Sequence, residues 1–308
     1  MELLTNWLAF TPVFAVPLVA AALGLIINER AGILNLGAEG IMLCGALVGI
    51  IAYIEFGDSI ALGFIFGIVA GLILGFAFGL FVVVLRTNQV VTGISFVILG
   101  SGLTGLLGIP WVNIAVAGIS PIHIPYLTDI PIIGRFLFGQ DIVVYLTLLL
   151  VALTWIFLYR TRIGLELRAV GENPQAADAD GINVEGYRLF AATLGGAFIG
   201  LAGAYLSIAM AKIFVLEMTQ GRGWIAIALV IFARWMPWKA ILGGVLFGGI
   251  EAMIPRLKAI GVPIPQYFLE MAPYLATLAV LIYAAMKMRS GQEAPKALGI
   301  PYVREDRK

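Results

Sequence analysis

Between Ile33 and Ile54 the chain carries one charged side chain, Glu39, in an otherwise apolar run. Eight further apolar stretches lie at 8–27, 60–85, 90–110, 141–159, 189–210, 223–234, 240–254 and 271–288. A helix needs about 20 mostly apolar residues to cross a bilayer. Every backbone N–H and C=O must also be satisfied there within the chain. The runs therefore predict an all-α, polytopic transmembrane helical bundle with broken or re-entrant helices. About nine spans are expected, within a range of roughly eight to ten, because broken runs blur the count. The composition agrees. Hydrophobic residues make up 61% and charged ones 12%, against about 25% charged in soluble domains. With 308 residues, that many crossings leave no room for a soluble domain of ordinary size. Met1 to Asn6 lack the positive segment of a cleaved signal peptide, so the first run is expected to be a retained crossing. One transmembrane domain is expected over residues 1–289. A charged, proline-bearing tail over 290–308 is expected to be loosely ordered.

A carboxylate at membrane depth costs at least about 2.5 kcal/mol and normally faces a cavity, a partner or a solute path. Glycines crowd Glu39 on both sides, and Asn35 lies four residues earlier. If the stretch is helical, the two share a face. Asn35 could donate and accept hydrogen bonds, and Glu39 could accept them from hydroxyls. Two roles remain open for the pair: solute contact, or satisfaction of backbone groups freed by the glycines. A second break is expected near Pro237, in Arg234-Trp235-Met236-Pro237-Trp238-Lys239, between two short runs. Such interruptions point to transport sites in helical carriers, or to a re-entrant hairpin with a packing role.

Other polar residues carry weaker signals. Glu251, with Glu39 the other carboxylate expected inside a span, lies near a predicted outer end and could snorkel to water. Asn88 opens a polar pathway or simply a loop. Trp224 could stack on a base or sugar face, or anchor at the membrane interface. His123, the one histidine, has no acidic or cysteine cluster around it in the sequence, so no metal site is expected. Cys44 cannot form a disulfide within the chain. Gly63, Gly67, Gly71, Gly75 and Gly79 recur every four residues, the spacing of close helix packing.

Of 19 Lys and Arg residues, an outside amino terminus places fourteen in cytoplasmic loops and five outside (Arg135, Lys212, Arg222, Arg256 and Lys258), as the positive-inside rule requires. The carboxyl terminus is then cytoplasmic. The basic residues are scattered rather than patched, so nucleic acid is not an expected partner. The long segment 111–140 is placed outside, over the mouth. The inner loop, 160–188, contains Gly171-Glu172-Asn173-Pro174 and, further on, Ala177, Asp178 and Gly181. Asn173 before Pro174 is a helix start, and Gly181 a helix stop. A short capped helix there could dock into a soluble partner or merely connect two spans.

These segments, with Gly221-Arg222-Gly223-Trp224-Ile225-Ala226 and the run from Glu29 to Gly40, resemble permease subunits of ABC importers of the ribose/nucleoside type, a group related to branched-chain amino-acid permeases. The resemblance covers roughly Pro12 to Ala284. It implies a multi-pass plasma-membrane subunit that moves a nucleoside, a simple sugar or a branched-chain amino acid. It also implies a second, different permease chain, two ATP-binding subunits that hold ATP and magnesium, and an extracytoplasmic solute-binding protein. The helix between Gly171 and Gly181 would be the element received by the ATPase. No G-x-x-x-x-G-K-[ST] sequence occurs, so this chain cannot cradle nucleotide phosphates in the P-loop manner. An ion-coupled carrier using Glu39 or Glu251 stays open, and no catalytic triad can be assembled.

Overall fold

The computed structural model describes residues 2–128, 130, 133–259, 261, 265–286 and 294–304. Lys287, Arg289, Arg307 and Lys308, counted above as inner charges, lie outside the described residues. Among the described residues every regular element is a helix: α1 Glu2–Arg30, α2 Ala38–Glu55, α3 Ile60–Gly79, α4 Gln89–Leu107, α5 Ile133–Phe138, α6 Ile142–Arg160, α7 Arg162–Glu172, α8 Pro174–Ala179, α9 Val184–Tyr205, α10 Arg222–Ala233, α11 Pro237–Ala259 and α12 Gln266–Met286. Wider five-residue turns extend α3 through Val84 and α9 through Met210.

Seven of these helices are long and apolar enough to cross a membrane. The run 223–234 becomes α10, whose 12 residues reach about 18 Å and cannot cross alone. The ninth run falls on α12. The two runs that meet at Pro237 are separated as expected: Arg234 and Trp235 both adopt left-handed backbone, and α11 starts at Pro237. That turn is held from the first crossing. The buried Glu29 carboxylate accepts the Trp235 indole N–H at 2.5 Å, and Arg30 donates to the Trp235 carbonyl.

Helices α1 and α9 form the buried centre. Around them pack α2, α3, α10 and α11, while α4 and α6 turn Ile98, Leu106, Leu149 and Leu153 outward. The glycine stripe works as its spacing implied. A methyl group on Gly71 would sit 2.2 Å from the Gly196 carbonyl, and one on Gly75 2.6 Å from that of Ala192, so α3 lies backbone against backbone on α9.

The two ends of the bundle differ. One gathers Arg30, Arg188, α7 and α8. At the other, Arg256 donates to the Asn6 carbonyl, Val116 to that of Lys212, and Gln140 to that of Ala9, so segment 111–140 covers that mouth. The tail departs from expectation. Residues 294–304 pack against the bundle rather than hanging loosely, because their backbone finds partners: Ala297 N–H donates to the Gly171 carbonyl and Gly299 N–H to that of Gly32. Arg188 bonds the Ile300 carbonyl, and Tyr302 is buried among Val170, Ala177 and Val184.

Gly71→Val should therefore drive α3 off α9, an overpacking cost of about 3 kcal/mol or more where backbone cannot yield. Detergent-extracted protein should aggregate or melt several degrees lower. Gly105→Ala, where the added methyl meets open space, should match the parent in the same assay.

Candidate functional site

Helix α1 ends where Gly32 turns left-handed, at φ +86°. The chain then runs without helix to Gly37. Asn35 folds this stretch locally, its Oδ1 accepting the Gly37 N–H at 3.0 Å, and Gln89 Oε1 receives the Leu34 N–H at 2.7 Å. Asn35 is thus in the break and Glu39 in the first turn of α2. The stretch between them is not helical, so the condition for a shared face is not met: the Asx turn replaces the helix there.

Glu39 reaches across to α10. Its Oε1 accepts the Gly221 N–H at 2.7 Å and its Oε2 the Gly223 N–H at 2.6 Å. Helix α10 has no side-chain cap of its own; Gly221 stands at its start in left-handed conformation. Glu39 supplies the missing cap from 182 residues away. A helix start leaves four N–H groups unpaired and carries about half a positive charge, and the carboxylate answers both. Gly223 is required by this closeness, since a methyl there would lie 2.5 Å from the Glu39 backbone nitrogen.

Arg222 does not lie in an outer loop, and Glu251 does not snorkel. Both are inside the bundle, joined at 2.8 Å with side chains 11% and 7% exposed. Arg222 also donates to the Met218 and Thr219 carbonyls. An ion pair so satisfied is a fixed strut; removing one partner would strand a buried charge. The Tyr274 hydroxyl donates to the Gln220 carbonyl at 2.9 Å. Beside these groups opens a cavity of about 590 Å³, reached by Gln220, Arg222, Glu251, Lys258 and Tyr274. Trp224 is exposed on α10. Asn88 stands apart: it caps α4, accepting the Val90 and Val91 N–H groups at 3.0 and 3.1 Å. It is Gln89, its neighbour, that touches the break. Glu29 was a further buried carboxylate in a span. Its sequence position at a basic helix end disguised it.

The loop over 160–188 has the local structure its sequence implies. Asn173 Oδ1 accepts the Ala176 N–H at 3.0 Å, Pro174 begins α8, and Gly181 leaves it at φ +82°. Pro174 and Ala177 face inward; Glu172, Asn173, Gln175 and Ala176 face out. Gly171 rests directly on the end of α1, where a methyl would come 2.1 Å from the Arg30 carbonyl. Arg304 pairs with Asp178 at 3.2 Å. On α7, hydrogen bonds from Tyr187 and then Arg162 hold the Glu166 carboxyl below its ordinary range. Burial pushes the Tyr302 phenol up, and the Asp178 carboxylate beside it adds to the shift.

Seven full-length helices, a half-length helix starting inside the bundle and a short capped helix at one end describe a multi-pass membrane subunit. Residues 8–286 match the family of permease components of branched-chain amino acid transport systems, and the chain belongs to that family. It is 40% identical to a provisionally named glucose ABC transporter permease protein, TsgC13, of Haloferax volcanii, over 94% of this chain and 95% of that one. It is 34% identical to the nucleoside ABC transporter permease protein NupC of Lactococcus lactis, over 95% of both. With the guanosine ABC transporter permease protein NupQ of Bacillus subtilis it shares 31% identity, over 100% of this chain and 99% of that one. It is an ABC importer permease, and ATP is hydrolysed on separate subunits.

Glu39→Gln keeps the shape but turns an N–H₂ toward one of the two donors. Leaving a buried donor unmet costs about 1–3 kcal/mol. The variant should melt lower in detergent and lose transport, while Glu39→Ala should fall further. An unchanged melting temperature for both would show that α10 does not depend on this cap.

Proposed function

We propose that this chain forms the solute path of an ABC importer that takes up a nucleoside or, second in order, a simple sugar. The observation that carries the mechanism is the physical continuity from the inner loop to the Glu39 junction. The substrate class is supported by the names of the relatives alone; branched-chain amino acids, from the family description, come third. The chain sits in the plasma membrane with its carboxyl terminus in the cytoplasm. It pairs with a second, different permease chain and receives solute from an extracytoplasmic binding protein. Two ATP-binding subunits, which hold ATP and magnesium, take the exposed edge of α8.

Closure of the ATPase pair displaces α8 together with Gly171, Glu172 and Asn173. Gly171 bears on the end of α1, and the tail backbone bonds both Gly171 and Gly32. The motion therefore enters the break at Gly32–Gly37, which carries Asn35. From there it passes through Glu39 to the start of α10 and to Trp224. Small shifts become alternate access when the moving element has two packings rather than a continuum. In this scheme Asn35, Glu39 and the Arg222–Glu251 pair position the path, and Trp224 faces it. Asn88 serves by holding α4, whose second residue, Gln89, grips the break.

The test is ATP-dependent uptake in proteoliposomes. The chain is co-expressed with its ATPase and companion permease, the binding protein is added, and labelled nucleosides, glucose, ribose and leucine compete. Nucleoside uptake that disappears when residues 172–180 are scrambled is the expected result. Uptake of sugar or leucine instead would move the substrate. Uptake by the purified chain alone, driven by an ion gradient, would overturn the importer mechanism. Deleting residues 294–308 should leave ATP hydrolysis intact while uptake falls about tenfold or more, since a coupling free energy near 1.4 kcal/mol is a factor of ten.

A further inference from the structure

Glu217 lies in the segment that returns from α9 to α10. It is exposed, yet it accepts a hydrogen bond from the Ser101 hydroxyl, nearly two turns before the end of α4 at Leu107. The exposed face of α4 is mostly apolar, with Ile98, Leu106 and Leu107 outward and the exposed Ser95 hydroxyl turned back onto the Val91 carbonyl. A carboxylate turned toward hydrocarbon at that depth would cost about 3 kcal/mol. The surface at Glu217 is therefore wet or covered. Its backbone is also strained. Glu217 and Gln220 take φ of 55° and 46°, joined by a turn in which the Gln220 N–H donates to the Glu217 carbonyl. Left-handed backbone costs a non-glycine residue about 1–2 kcal/mol. Such strain at an exposed polar residue points to a use for that residue rather than to packing. The neighbouring surface is clear, since methyl groups built on Gly102 and Gly105 meet nothing within 4 Å. Four residues beyond Glu217 the same segment reaches Gly221, which Glu39 holds.

We propose that Glu217, oriented by Ser101, recognises hydroxyl groups of the solute, with its free acceptor positions taking the paired hydroxyls of a vicinal diol. A carboxylate offers about four lone-pair sites, and Ser101 uses one of them. Hydroxyl-to-carboxylate bonds are charge-assisted and short. Gln220, whose N–H bonds the Glu217 carbonyl, is exposed and also lines the cavity by Arg222 and Glu251. This assignment rests on the importer reading, and it makes the diol, rather than the base or the remainder of the sugar, the group the permease inspects.

The experiment uses the whole complex in proteoliposomes with one binding protein throughout. Guanosine is set against 2′,3′-dideoxyguanosine, which lacks the diol. Glu217→Gln should raise KM for the diol-bearing solute about tenfold or more, the loss of one charged hydrogen bond, and leave that of the analogue within twofold. Ser101→Ala should shift the same ratio less, and Glu217→Asp should keep part of the discrimination. Each variant complex should elute from a sizing column like the parent. Equal effects on diol and analogue, or none, would overturn the assignment while leaving the importer standing. Loss of the companion permease from the Glu217→Gln complex would overturn it in favour of a subunit contact. If the parent complex takes up neither nucleoside with ATP, the importer reading fails for these solutes and the diol assignment falls with it.

Discussion

One carboxylate sits between two helix starts. Helix α2 begins beside Glu39 and runs toward one end of the bundle; α10 begins at Gly221 and runs toward the other. Two helices that start face to face bring together two half positive charges and up to eight unpaired N–H groups. In water these would be solvated. Inside the bundle they are cut off from bulk water and need partners from the chain. A full negative charge accepting from both Gly221 and Gly223 offsets both half charges and removes two of the unpaired donors. The half-length α10, the left-handed glycine at its start and the close approach required at Gly223 all follow from having the cap come from another helix.

The break that delivers Glu39 is fixed at its other end by the inner loop. Gly32 accepts the Gly299 N–H, and Gly171 both accepts the Ala297 N–H and touches the Arg30 carbonyl. These are backbone contacts with little side-chain freedom to absorb movement. Under the proposed mechanism a push at α8 would reach Gly32 through main chain rather than through long side chains that rotamer changes can absorb. The tail matters here for geometry, since its backbone bonds both Gly171 and Gly32.

What was legible in the sequence was local. Asn173, Pro174 and Gly181 announced a short helix because a cap and a stop act on residues three or four away. The glycine stripe on α3 was readable for the same reason, its period being the helix's own. The break at Pro237 was legible too, although not that Trp235 would be held by Glu29 on the first crossing. Long-range pairing was not legible. Glu39 stood out as a cost, but its partners are backbone N–H groups, which carry no residue-type signature. Arg222 and Glu251 looked like outer residues because each lies near an apparent run boundary, when in fact α10 starts inside the bundle and places both in its interior. The tail looked disordered by composition, yet its contacts are made by main chain at Ala297, Gly299 and Ile300, to which composition is blind.

The distribution of constraint shows where motion can occur. The α3–α9 contact is backbone on backbone, and no side chain can rotate to relieve a shift there. The segments bounding α10 are different. At its start stand two hydrogen bonds to one carboxylate; at its end stand two left-handed residues, Arg234 and Trp235, kept in place by one indole–carboxylate bond and by Arg30. The left-handed backbone at both ends stores strain, and each end is fastened by side chains of other helices, so a shift of those helices acts on α10 at its ends. Helix α10 is thus an element pinned at both ends by carboxylates of the first two crossings, Glu29 and Glu39. Those two residues bracket the Gly32–Gly37 break that the inner loop grips. Any displacement of the break changes both pins together, which is what a two-state element needs if a signal at the membrane surface is to be read inside the bundle.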